Sequence, residues 1–323
     1  MGQEEQARLP EVQDVLDVSV PPMPMDEGIL AFQKQADGFY PPDAVNASIA
    51  QQREWYDTFC ASFNPPDPAG LTYEDGEIAG VKVRYFHPSV QKTANCLLYF
   101  HGGGFVVGSC DSHHAICAEI AEFCGAELIS VDYRLAPEHV WPAASDDGYA
   151  VLCQLLARGH RIVVIGDSAG ANIAAGLMVR VMQEGGGDGD KGSIAGQVLV
   201  YPALGGDMTA GSYVEMAEAP GLSTQDVQYY RDILQAPEDE AVAYPLKAGD
   251  VGKLPPAYIS SAFFDPLRDD GRDYAARLAR AGVNVTYREE PQMVHGWLRA
   301  RKMSTGARTG FDHLCRAIAG FCD

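Results

Sequence analysis

The chain has 323 residues, 46% of them hydrophobic, and carries a formal charge of -20. That length holds either two domains or one large α/β domain with an accessory segment, and the apolar content is enough for a sizeable core. The acidic balance speaks against nucleic acid or an anionic membrane surface as a partner, since both would repel the chain.

The N-terminal stretch is polar and acidic and lacks the apolar centre of a secretory signal, and Gln6 stands where a myristoylation pattern needs Ser or Thr. No apolar run is long enough to span a bilayer, so a cytoplasmic protein without membrane insertion is expected. The 8 cysteines are scattered. Cys60, Cys96, Cys110, Cys117, Cys124 and Cys153 show no C-x-x-C spacing, which points to reduced, buried thiols rather than disulfides or a metal site.

Breakers at Pro21 to Pro24 and at Pro41-Pro42 bracket a short helix predicted from Glu27 to Asp37. A second helix is predicted from Ser48 to Phe63, bearing Trp55, Tyr56 and Phe59. Asn64 to Gly70 reads as a linker. Residues 1–70 are thus expected to form an N-terminal helical cap segment and linker ahead of an α/β domain over 71–323. From there, strands are predicted at Ile78 to His87, Cys96 to Phe100, Glu127 to Tyr133, Gln197 to Tyr201, Ala257 to Phe263 and Asn284 to Tyr287. Helical patterns at Ala115 to Cys124 and Ala143 to Leu156 alternate with them, the signature of a mostly parallel sheet covered on both faces. Gly185 to Asp190 reads as a flexible surface loop. The stretch from Gly205 to Gly252 breaks the alternation, with a helix at Asp226 to Leu234, and is expected to be a second cap segment inserted at about 205–252.

The stretch Arg161 to Leu177 organises the rest. Ile162 to Ile165 is an apolar, β-branched run suited to a buried parallel strand. It leads into Gly166-Asp167-Ser168-Ala169-Gly170 and then into a helix, so G-x-S-x-G stands between a strand and a helix, as a nucleophile elbow requires. Side chains at Gly166 and Gly170 would meet neighbouring backbone, and Ser168 is expected in a strained conformation with its hydroxyl lifted beside a helix N-terminus.

An acylating serine needs oxyanion donors, a base and a partner for the base. Leu97 to Phe100 runs into His101-Gly102-Gly103-Gly104-Phe105, where successive glycines let backbone N–H groups approach an oxygen. For the base, only His295 and His313 lie far enough downstream in the usual hydrolase order. His313 sits in an amphipathic helix pattern, whereas His295 follows the last strand in Met293-Val294-His295-Gly296-Trp297 and is the better base. For its partner, Asp265 stands at the tip of the strand Tyr258 to Phe264. Asp269 and Asp270 read instead as acids opening the next helix.

With these parts assembled, the chain resembles the hormone-sensitive lipase family of α/β-hydrolases, the bacterial arylacetamidase-like esterases, from about Val81 to Trp297. The motifs that carry the resemblance are His101 to Phe105, Asp132 to His139, Gly166 to Gly170, Asp265 to Gly271 and His295 to Trp297. It implies the α/β-hydrolase fold with a helical cap and a serine carboxylesterase; short acyl groups are expected because bulky aromatics and methionines around a closed pocket leave limited room. It also implies Ser168 as nucleophile with Asp265 and His295, oxyanion donors at Gly103, Gly104 and Ala169, and Arg134 and Glu138 as braces of the active-site wall. Phe32, Phe39, Tyr40, Trp55, Tyr56 and Phe59 of the first cap segment, with Met208, Tyr213, Met216, Tyr229 and Tyr230 of the second, are expected to roof Ser168, and Phe39, Tyr40, Phe105, Met208 and Tyr213 are nominated for the substrate pocket. No metal or organic cofactor is implied, the partner is a small ester, and a homodimer is left open. The motifs do not separate ester hydrolysis from amide hydrolysis or a dehydratase on the same scaffold. A non-catalytic receptor is disfavoured by the presence of His295.

Overall fold

The computed structural model describes residues 23–41, 44, 47–184 and 192–323. The readings made of the N-terminal stretch before residue 23 and of the glycine-rich loop at 185–190 fall outside them.

Apolar, β-branched runs cannot leave their side chains in water and become strands buried on both faces. The strands are β1 Thr72–Ile78, β2 Val81–His87, β3 Cys96–Phe100, β4 Glu127–Val131, β5 Arg161–Asp167, β6 Ser193–Val200, β7 Ala257–Phe264 and β8 Val285–Val294. They form one sheet in the order β1-β2-β4-β3-β5-β6-β7-β8. Pairing is antiparallel at β1/β2 and β2/β4 and parallel elsewhere. Period-two alternation splits each central strand between two cores. Leu98, Phe100, Val164 and Leu199 face one, packed with α4 Ala143–Ala157, α5 Ala169–Glu184 and α8 Arg268–Arg280. Leu97, Tyr99, Ile165 and Val198 face the other, packed with α3 His114–Cys124 and α9 Thr305–Cys322. This is an α/β-hydrolase sheet with helices on both faces.

Two strand readings need correction. The sequence reading begins the sheet at Ile78, but Thr72–Ile78 is itself a strand, closed onto β2 by a turn in which Ala79 and Gly80 both have positive φ. Its residues are exposed up to Ile78, so no hydrophobic alternation marks it. The last strand runs on to Val294 rather than ending at Tyr287. It contains Pro291, which an edge strand tolerates because one side of its backbone has no neighbour to bond.

The N-terminal helices are α1 Glu27–Ala36 and α2 Ile49–Ser62. Asp26 caps α1, accepting from the Ile29 N–H, and also accepts from the Ser304 hydroxyl at 2.9 Å, tying α1 to the start of α9. Ile29 and Phe32 enter the core beside Trp297. Arg53 pins α2, donating to the Val106 and Ala136 carbonyls and pairing with Glu138. The inserted stretch carries α6 Ser212–Glu215 and α7 Thr224–Leu234, the latter opened by a Ser223/Asp226 capping box.

Candidate active site

Loops at the C-terminal ends of β5, β7 and β8 converge on one point above the sheet, the usual place for ligands in parallel α/β sheets. The β5 loop presents Ser168. Its φ is 54°, a left-handed conformation that side chains rarely adopt. The turn is closed from both sides: a Cβ on Gly166 would stand 2.2 Å from the Gly170 carbonyl oxygen, and one on Gly170 would stand 2.0 Å from that of Phe100. The glycines are therefore required by packing, as the motif reading expects, and the Ser168 N–H is fixed on the Val200 carbonyl at 2.9 Å.

His295 follows β8 directly. Its Nε2 lies 2.8 Å from Ser168 Oγ and its Nδ1 lies 2.7 Å from Asp265 Oδ2. Asp265 is fully buried, and its other oxygen accepts from the Leu267 N–H at 2.8 Å. The carboxylate can only accept, so Nδ1 carries the ring proton and the Nε2 lone pair faces the serine hydroxyl. The Tyr201 ring, 4.7 Å from the imidazole between centroids, walls one side. His313 lies on α9, away from this point, and lines neither cavity described below.

The neighbouring acids are occupied elsewhere. Asp269 pairs with Arg268 and Arg272 and accepts from the Ser212 N–H. Asp270 accepts from the backbone N–H groups of Leu204, Gly205 and Gly206 and from the Tyr213 hydroxyl. Burial nevertheless pushes the Asp270 carboxyl up to about 6. These two acids hold the inserted stretch to the Asp265 loop.

The β3 loop brings His101-Gly102-Gly103-Gly104 alongside. Gly103 and Gly104 have φ of 126° and 60°, and a Cβ on Gly103 would meet the Val107 carbonyl oxygen at 2.1 Å. Among the described residues their N–H groups donate no hydrogen bond. Ala169, the first residue of α5, likewise has no intrahelical acceptor for its N–H. Three free donors thus adjoin the serine.

Behind the loop lies a buried polar cluster that the sequence reading missed. Asp167 accepts from the Gly102 N–H at 2.9 Å and from the hydroxyls of Tyr99 and Tyr201, so it fastens the glycine loop to the elbow. Burial alone would raise its carboxyl, but His113, Tyr99 and Arg299 outweigh that and hold it well below the carboxylate range. Burial lowers His113, against the opposing pull of Asp167. His113 Nδ1 lies 2.8 Å from the Ser112 hydroxyl, while Nε2 lies 3.1 Å from the Arg299 guanidinium and 3.4 Å from Asp167 Oδ2. His101 is pushed down to about 3 by burial and bonds the Gly102 carbonyl. Arg299 is buried against the rings of Tyr56 and Phe59. Of the expected wall braces, Arg134 forks onto Asp147 and Glu138 pairs with Arg53.

Two cavities meet at Ser168. The larger, about 450 Å³, is walled by rings including Phe32, Tyr40, Tyr56, Phe59 and Tyr229, and reaches His295. The smaller, about 60 Å³, is walled by Phe105, Val227, Leu234 and Leu267 and does not touch His295. Of the residues nominated for the pocket, Tyr40 and Phe105 stand at these walls. Phe39, Met208 and Tyr213 do not, which corrects that reading. Phe39 packs edge-on against Phe59, Met208 lies on the cluster around Tyr213, and Tyr213 is turned to Asp270. Each serves the nearest core, as buried aromatics and methionines commonly do. Among the described residues, no group of three or more His, Cys, Asp or Glu side chains could hold a metal ion.

A parallel sheet presenting a strained serine between two glycines, with a histidine and a carboxylate on the next loops, defines the class as the α/β-hydrolases. The family model described as alpha/beta hydrolase fold matches residues 97–299, and the chain belongs to that family. A solved esterase from the bacterial hormone-sensitive lipase family shares the fold, with a TM-score of 0.82 at 24% identity, covering 92% of this chain and 98% of that one. Esterase LipI of Mycobacterium tuberculosis is 38% identical over 238 residues, 69% of this chain and 73% of the relative. Carboxylesterase NlhH of the same organism is 38% identical over 227 residues, 66% of this chain and 70% of the relative. Among solved structures, a bacterial heroin esterase matches with a TM-score of 0.79 at 28% identity, covering 91% of this chain and 98% of that one.

Proposed function

We propose that this protein is a carboxylesterase that hydrolyses short-chain acyl esters, with Ser168 as nucleophile, His295 as general base and Asp265 as its partner. The observation that carries the reading is the unbroken line Asp265–His295–Ser168, with contacts of 2.7 and 2.8 Å. The esterase names of the relatives support the reaction class.

In this mechanism, His295 Nε2 takes the Ser168 proton as Oγ attacks the ester carbonyl, and Asp265 stabilises the imidazolium. The oxyanion collects donors from Gly103, Gly104 and Ala169; each donor lost costs roughly 3–4 kcal/mol of transition-state stabilisation. His295 then protonates the leaving alcohol, and water repeats the cycle on the acyl-enzyme. That proton transfer assigns the cavities. The leaving oxygen has to face His295, and only the larger cavity touches it. The alcohol therefore occupies the larger cavity and the acyl chain the smaller, whose 60 Å³ holds only a few carbon atoms. Residues 1–70 and 205–252 act as a two-part cap, for α1, α2 and α7 supply most of the ring wall.

The test is labelling with an alkyl phosphonate ester, followed by peptide mapping and burst kinetics on a nitrophenyl ester. Modification of Ser168 with a burst of one alcohol per active site is expected. Labelling elsewhere, or turnover by Ser168→Ala, overturns the assignment.

A further inference from the structure

The two cavities are separated by very little. Three residues line both: Ser168, Leu222 and Tyr230. Apart from the serine, the wall between the sites is thus two side chains, both from the inserted stretch.

Tyr230 projects from α7 onto the glycine loop. Its ring lies so close to Gly104 that a Cβ there would stand 2.4 Å from the tyrosine Cδ1. The ring bridges two apolar clusters, one formed by Tyr213, Leu222, Val227 and Leu267, the other by Val106, Val107 and Ala136. Tyr229 packs edge-on against it, 5.5 Å between centroids. Among the described residues its hydroxyl makes no hydrogen bond, so the ring is held by packing alone. Leu222 closes the gap beside it and is itself buried. Rings held in this way have sharply defined volumes, and a site that excludes by volume discriminates each added methylene by about 10-fold or more.

We propose that Tyr230 and Leu222 are the specificity-determining partition of this enzyme. They stop the acyl chain at the end of the small cavity while leaving the alcohol side open to bulky, ring-bearing groups. The preferred substrates are short, unbranched acyl esters of large alcohols. This rests on the assignment of the acyl group to the smaller cavity. Removing either side chain joins the small cavity to the large one and gives a long chain a path past the serine.

The experiment measures kcat/KM for nitrophenyl acetate, butyrate, octanoate and decanoate on the full chain and on Tyr230→Phe, Tyr230→Ala, Leu222→Ala and Leu222→Phe. Tyr230→Ala and Leu222→Ala are expected to raise the octanoate-to-butyrate ratio by about 10-fold or more. Tyr230→Phe should leave the ratio within about twofold, because the hydroxyl has no hydrogen-bond partner among the described residues to lose. Leu222→Phe acts in the opposite sense and should lower butyrate relative to acetate. A gain on long chains cannot come from a damaged fold, so the ratio remains decisive even where overall activity drops. Should both alanine variants fail to fold, the butyrate-to-acetate ratio of Leu222→Phe decides. Unchanged ratios in folded, phosphonate-labelled variants overturn the partition and leave the nucleophile assignment standing. Failure of the parent protein to label at Ser168 overturns the reading beneath it instead.

Discussion

Gly170 and Ser168 illustrate how little freedom the site leaves a single residue. A methyl group on Gly170 meets the Phe100 carbonyl at 2.0 Å, and both partners are backbone that cannot rotate away. Gly170→Ala should therefore destabilise by more than the ~1–3 kcal/mol typical of overpacking, read as a lowered denaturant midpoint. Ser168→Ala adds nothing to the volume and should leave that midpoint near the parent value while ester turnover disappears. The carboxylates can be ranked in the same way. Asp265→Asn leaves an amide facing His295 Nδ1 and favours the wrong tautomer, so kcat should fall by about 10⁴-fold. Asp269→Asn weakens ion pairs with Arg268 and Arg272 and should cost well under 10-fold. If single-turnover kinetics gave the two variants equal losses, Asp265 would not be the partner of His295.

Among the elements, α2 carries the clearest test of the cap. Its Arg53 spans from the helix to the Val106 carbonyl, on the loop that follows Gly102 to Gly104, and to the Ala136 carbonyl, on the loop between β4 and α4. Arg53→Met keeps the aliphatic bulk but leaves those carbonyls and Glu138 without their donor. A loss of about 1–3 kcal/mol is expected, since unpaired acceptors keep their desolvation penalty. Loss of activity on large alcohols should accompany it, because α2 supplies Tyr56 and Phe59 to the larger cavity. Thermal melts paired with phenyl and naphthyl acetate assays read both effects; retained stability with retained alcohol selectivity would detach α2 from the site. α1 behaves differently. Ile29 and Phe32 belong to the same core as Trp297, so truncation through residue 45 should lower the melting temperature as well as activity.

For the whole molecule, the buried histidines set an acid limit. His101 is pushed from 6.5 down to about 3, and burial lowers His113 as well. Above pH 6.5 both states hold these rings neutral, and stability does not respond to them. As pH falls below 6.5 the unfolded chain takes up a proton at His101 that the native fold refuses, costing about 1.4 kcal/mol per pH unit, and His113 adds a loss of the same sign. Asp270, raised from 3.8 to about 6, acts oppositely: the native state holds a proton that the unfolded chain has lost across that window. It offsets His101 there and leaves the loss from His113. Asp167, held below its ordinary value, adds a further loss at still lower pH. Calorimetry should find a melting temperature that these groups leave level from pH 7 to 8 and lower on descent to pH 5, with a shallower slope in His113→Gln. A melting temperature that rises towards pH 5 would show that the histidines are not buried neutral.

The sequence by itself determined the sheet class, the elbow, the glycine loop and the order in which Ser168, Asp265 and His295 arrive. The reason is local: β-branched runs, paired glycines and strand-end positions are constraints a residue places on its immediate neighbours. Thr72–Ile78 escaped this logic because an exposed edge strand has no buried face to imprint alternation on the sequence. Tertiary structure alone decided the cavities. Phe39 and Tyr40 are adjacent, both aromatic and both packed on Phe59, yet of the two Tyr40 alone walls the larger cavity. Arg299 is buried on hydrogen-bond partners, Ser112, His113 and Tyr56, that come from distant parts of the chain. Leu222 and Tyr230 carry no motif, and their place between two cavities depends on how the inserted stretch settles over the glycine loop. Such long-range contacts leave no periodic trace, since they are fixed by which surfaces pack together and not by which residues are neighbours.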